Sequence, residues 1–136
     1  MKLINNSKAR IFCAMCAVFV LGSVAASARN IDDYSVIMPR FGSTVMTGKL
    51  LKTSQTRGVN NNTSIGGNYS MKCAIYKSGT TSKLTSEKTV GSGDRVYLNY
   101  NSPSSAKGMN VQMGCKTGLS TTVNVQASGS WSPDEE

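Results

Sequence analysis

Residues 69–75 read Tyr69-Ser70-Met71-Lys72-Cys73-Ala74-Ile75, and residues 109–116 read Met109-Asn110-Val111-Gln112-Met113-Gly114-Cys115-Lys116. In both, large apolar side chains fall at every second position. A period of two is the mark of a β-strand with one face buried, because successive side chains point to opposite faces. Cys73 is in phase with Tyr69, Met71 and Ile75, and Cys115 is in phase with Met109, Val111 and Met113. Both sulfurs are therefore expected on core-facing positions, paired as a disulfide that ties two sheets or two neighbouring strands. The four methionines at 38, 71, 109 and 113 read as adaptable core filling rather than a metal site.

The same alternation recurs along the 136-residue chain. Tyr34, Val36 and Met38 alternate with Ser35 and Ile37, and Pro39 ends the run. Val45 to Thr53 reads as a second, less regular strand around Leu50 and Leu51. Gly58 to Gly67 reads as a loop, since Asn60, Asn61, Asn62, Thr63 and Ser64 favour turns through their own side chains. Leu84 to Val90 is a polar strand candidate at an edge, guarded by Lys83 and Lys88. Val96, Leu98 and Tyr100 alternate, as do Val123, Val125 and Ala127. Asn101 to Gly108, with Pro103, reads as a loop. No long amphipathic helix is legible. About seven short strands with turns between them predict an all-β fold, a small antiparallel β-sandwich of jelly-roll or Ig-like type, from Tyr34 to Trp131 with frayed ends.

The first 28 residues read as a targeting segment. Lys2, Lys8 and Arg10 precede an uncharged, mostly apolar run from Ile11 to Val24, followed by Ala26-Ser27-Ala28. That order is a secretory signal peptide, cut by signal peptidase after Ala28. The alternative, an uncut anchor, meets an apolar run that is short for a bilayer span. Cys13 and Cys16 leave with the signal. Residues 29–136 then form one secreted domain ending in a short disordered acidic tail of Asp134, Glu135 and Glu136. Two cysteines in an exported chain pair by default, two free thiols being the alternative. The Cys73–Cys115 disulfide would close a loop of about 42 residues and contribute at most about 4 kcal/mol.

Catalytic chemistry has little to work with. The chain has no histidine, which removes imidazole bases, Ser-His-Asp sets and His-based zinc sites. Glu87 and Asp94 are the only acids between Tyr34 and Trp131, and they read as solvated charges flanking a hairpin rather than a glycosidase pair. The terminal acids lack the loop that calcium requires. No phosphate-cradling loop has the right context. The protein is expected to be no enzyme and to need no cofactor or metal. Asn62-Thr63-Ser64 and Asn68-Tyr69-Ser70 fit a glycosylation sequon, relevant only to a chain entering an endoplasmic reticulum.

Charge is the remaining handle. The formal net charge is +8, and the cations are spread from Arg40 to Lys116 while most acids sit at the two ends of the mature chain. A positive exported body is drawn to an anionic cell-wall polymer or membrane surface, and its export argues against nucleic acid as a partner. The bland reading is that the lysines only confer solubility. Lys72, Tyr76, Lys77, Arg95 and Tyr97 are the candidate binding residues. Their alternation predicts exposed aromatics beside cations, a combination that grips sugars or lipid headgroups; cross-strand packing is the competing role for the two tyrosines. Trp131 is expected to cap one end of the core.

With its N-terminal signal, the early Asp32-Asp33-Tyr34 strand and its polar strands, the chain resembles small uncharacterised secreted proteins of Gram-positive bacteria. Val59-Asn60-Asn61-Asn62-Thr63 and Tyr97-Leu98-Asn99-Tyr100 are also similar to segments of lactococcin-type β-sandwich bacteriocins, over less than half the chain. The chain departs from those bacteriocins in lacking histidine and in carrying a cysteine pair. The resemblance implies a secreted, bacteriocin-like factor acting on the cell envelope. A structural or adhesive module that binds a glycan or protein is the second reading.

Overall fold

The computed structural model describes residues 29–135; the expected signal peptide lies outside the described residues. Two antiparallel sheets pack face to face as a sandwich. The strands are β1 (Asp32–Met38), β2 (Val45–Met46), β3 (Leu50–Leu51), β4 (Gly58–Ile65), β5 (Met71–Lys77), β6 (Lys88–Val90), β7 (Arg95–Leu98), β8 (Asn110–Lys116) and β9 (Val125–Ser132). The first sheet has the order β1-β9-β4-β7. The second has β2-β8-β5-β6, with β3 also paired to β8. The β-sandwich expectation therefore holds, with nine strands rather than about seven.

The two stretches that set the reading, residues 69–75 and 109–116, become β5 and β8, the central pair of the second sheet. Their register puts Cys73 opposite Cys115 and Ile75 opposite Met113. Met71, Cys73 and Ile75 face inward with Val111, Met113 and Cys115, and all are buried. From the first sheet they meet Tyr34, Val36, Met38, Leu98, Val125, Ala127 and Trp131. Among these buried side chains, the expected disulfide is not formed. Both cysteines are thiols, with Asn60 Nδ2 donating to Cys73 Sγ at 3.4 Å. Burial pushes the Cys73 thiol up to about 11, and burial and its cysteine neighbour push Cys115 higher still.

Four sequence expectations are corrected. The Asn-rich segment is not a loop but β4, lying between β9 and β7 in the first sheet. Asn60 and Asn62 point into the core, where Tyr34 Oη donates to Asn60 Oδ1 at 2.9 Å. Asn62 Nδ2 donates to Tyr34 Oη and to Ser128 O, both at 3.1 Å. A bulge between Asn62 and Ser64 absorbs one residue and returns Ile65 to the inward face. Burial pushes the Tyr34 phenol up to about 12, so it stays a neutral donor to Asn60.

The other three concern smaller segments. The strand expected from Val45 to Thr53 is divided into β2 and β3. Thr47 is buried between them, its hydroxyl accepting from Met113 N at 3.1 Å, where a continuous ladder would otherwise run. The loop with Pro103 carries one helical turn, α1 (Pro103–Ala106), with proline at its start, where a missing N–H costs nothing. Finally, the domain's ends are not frayed. Trp131 is an interior residue of β9, opposite Asp32 and Asn60, rather than a cap. The acidic tail is not disordered at Asp134 or Glu135.

Asp134 is in fact the centre of a clasp. Its carboxylate accepts from Lys52 Nζ at 2.8 Å, from the amides of Thr53 and Ser54, and from both of their hydroxyls. Lys52 is 0 % exposed. Its ammonium also donates to Thr56 O and Pro133 O and lies 4.0 Å from the centre of the Tyr100 ring. Next along the chain, Arg57 holds Glu135 with two parallel hydrogen bonds.

Candidate functional site

The strands divide the candidate binding residues between two opposite surfaces. Lys72, Tyr76 and Lys77 belong to β5 of the second sheet, Arg95 and Tyr97 to β7 of the first. The five do not form one site.

Neither tyrosine is an open platform. Tyr76 is 6 % exposed. Its ring lies over Gly114 on the neighbouring strand, so close that a Cβ on Gly114 would fall 2.5 Å from it, and Thr44 closes in beside it. Tyr97 is half-buried, with the Arg57 guanidinium 3.6 Å from its ring centre and Arg95 5.5 Å away on the same ring. Arg95 also donates to Asn61 Oδ1 at 3.1 Å. Cross-strand packing on Gly114 accounts for Tyr76, and cation stacking by the protein's own arginines occupies Tyr97. Sequence could not show this: the residues that cover each ring are distant in the chain.

The cations are a different matter. On the outer face of the second sheet Lys72 stands directly opposite Lys116 in the β5–β8 register. Two like charges across a strand pair are unfavourable. Glu87, from the segment leading into β6, offsets them by accepting from Lys116 Nζ at 2.7 Å and from Lys83. The two ammonium donors hold the Glu87 carboxyl down at about 2, so it stays ionised. Lys72 and Lys88 are exposed and have no ion-pair partner among the described residues. At the far end of β5, Lys77 and Lys49 line a shallow depression with Ser78, Met109 and Asn110. From the sequence Lys83 and Glu87 read only as an edge guard and a solvated charge, and Lys116 is not among the candidate binding residues. The only signal was the four-residue spacing of Lys83 and Glu87, and Lys116 joins them only through strand pairing.

The acids are mostly committed elsewhere. Asp134 and Glu135 are engaged by Lys52 and Arg57. Asp94 accepts from Gly91 N in its own turn at 2.8 Å. Asp32 and Asp33 lie at the start of β1, at the same end of the sandwich as the Asp134 clasp. Among the described residues no group of three His, Cys, Asp or Glu side chains is arranged to hold a metal ion. The face the geometry assembles is a cationic sheet surface with one pinned carboxylate. No protein-family model matches the chain, and no curated protein matches it either.

Proposed function

We propose that this protein is a secreted, non-catalytic binding factor whose second-sheet face attaches to an anionic polymer or lipid of a cell envelope. The observation that carries the reading is the arrangement around β5: Lys72 opposite Lys116, Lys83 opposite Tyr76 on the same face, and a single acid, Glu87, shared between Lys83 and Lys116. Several cations on one face meet a polymer of repeating phosphates or carboxylates at more than one point at once, so weak contacts multiply. Such contacts are screened over about 8 Å at physiological ionic strength. Cosedimentation of the mature protein with isolated cell walls is therefore expected to be strong at low salt and to fall steeply as salt is added. Binding no better than that of a neutral control protein at low salt would remove this reading and leave a protein-partner module in its place.

A further inference from the structure

At one end of the sandwich two loops are fastened together. Residues 39–44 join β1 to β2, and residues 117–124 join β8 to β9. Phe41 N donates to Thr121 O at 2.7 Å, and Arg40 N donates to Asn124 Oδ1 at 3.1 Å. Leu119 lies against Gly42, its Cδ2 3.2 Å from where a Cβ would stand. This double loop presents its large apolar side chains outward. Leu119 is 84 % exposed, Phe41 54 % and Val123 46 %, and Ile37 beside them is 62 % exposed.

Phe41 is held there against its own preference. Its φ is 66°, in the left-handed region that a bulky residue rarely adopts. Non-glycine strain of this kind persists where surrounding structure imposes it, and it concentrates at working surfaces. Here it projects the ring from the loop instead of folding it onto the core. The Arg40 guanidinium sits 5.4 Å from the ring centre.

Charge is arranged to match. Neither loop contains an acid. Lys72, at the start of β5, and Lys116, at the end of β8, stand at this same end of the molecule. Asp32, Asp33, Asp134 and Glu135 all lie at the opposite end. Glu87 and Asp94 are the acids toward this end, the first held by Lys116 and Lys83 and the second by its own turn. Apolar tips with Arg40 and Lys72 at the same end, Lys72 being unpaired among the described residues, complement a bilayer whose headgroups are anionic and whose interior is apolar.

We infer that the double loop of Phe41 and Leu119 inserts into the interfacial region of an anionic lipid bilayer, with Arg40 and Lys72 set against the headgroups. This deepens the envelope-binding reading and rests on it, naming lipid as the partner of this end of the molecule.

The test is flotation of the mature protein with vesicles of mixed phosphatidylglycerol and phosphatidylcholine, compared with vesicles of phosphatidylcholine alone. Binding to the anionic vesicles is expected, and Phe41→Gly and Leu119→Ser are each expected to weaken it about tenfold, as loss of a buried apolar side chain does. Phe41→Gly is the decisive variant, because it relieves the backbone strain and so is expected to keep or raise the thermal midpoint while losing the vesicles. Phe41→Trp supplies a reporter, since native Trp131 is already buried. Its emission is expected to shift to shorter wavelength on anionic vesicles and to be quenched by lipids brominated along their chains. Vesicle binding that survives Phe41→Gly and Leu119→Ser would overturn insertion while leaving the charge-driven reading standing. Failure to float with anionic vesicles, alongside salt-sensitive binding to lipid-free cell walls, would overturn the lipid assignment alone. Failure to bind either would overturn both.

Discussion

Asp134→Ala is expected to lower stability by about 3–5 kcal/mol, the range for removing one partner of a buried ion pair. The variant leaves the Lys52 ammonium 0 % exposed, with only the carbonyls of Thr56 and Pro133 and the Tyr100 ring for company. It also orphans the amides of Thr53 and Ser54. Lys52→Met is expected to cost less, because Asp134 keeps the Thr53 and Ser54 donors. Urea denaturation of the two variants measures the difference, and an equal or reversed order would show that the clasp is not organised around the carboxylate.

The clasp also sets a pH dependence. Burial pushes the Asp134 carboxyl up, but the Lys52 ammonium, the Thr53 amide and the Ser54 hydroxyl outweigh it and hold it below its usual range. A carboxyl with its folded pKa depressed contributes stability that is fully present above its unfolded pKa. That contribution is lost as pH falls through the folded one. Wild-type protein is therefore expected to lose stability below about pH 4. Asp134→Ala should lose less over the same range.

Gly129→Val is the second large effect, expected to cost about 3 kcal/mol or more. Gly129 lies in β9 opposite both Tyr34 and Asn62. A Cβ there would sit 2.3 Å from Asn61 O, 2.8 Å from Tyr34 Oη and 2.9 Å from Asn62 Cα. Two of those are backbone atoms of a paired strand, which cannot rotate away. Displacing the third breaks the Tyr34–Asn60–Asn62 network and leaves buried polar groups unpaired. Gly58→Ala is the informative contrast. Its added Cβ would meet Ile75 Cδ1 at 2.4 Å, the far end of a side chain that can turn, and it should cost clearly less. Thermal midpoints of the two variants, with near-ultraviolet circular dichroism as the report on tyrosine packing, test the ranking.

These two effects arise where the sequence was hardest to read. Apolar alternation located β1, β5, β7, β8 and the start of β9, because those strands bury one face and leave the other polar. It failed at β4, where the inward residues are Asn60 and Asn62. Their turn preference is a local property, and it yields when Tyr34, Ser128 and Cys73 supply partners from other strands. It failed again at Asp134, where a run of three acids at the end of the sequence read as a disordered tail. Nothing near Asp134 in sequence announces that Lys52 is its partner. The binding face shows the same limit. Lys72 was legible as an outward cation, whereas Lys77 has the inward phase of Met71, Cys73 and Ile75 and is exposed because it ends β5. Only the β5–β8 pairing brings Lys116 and Glu87 to Lys72, and only the two-sheet packing sends Arg95 to the other side.

The most direct test of the cationic face compares two variants with the same change in net charge. Lys72→Glu with Lys83→Glu alters the outer face of the second sheet. Arg95→Glu with Lys107→Glu alters β7 and the segment after α1. All four positions are exposed, so folding should change little. In cosedimentation with isolated cell walls at low salt, the first variant is expected to lose about tenfold or more in binding while the second stays within a few-fold of wild type. Equal losses from both would mean that net charge alone governs attachment and would contradict the assignment of the second-sheet face.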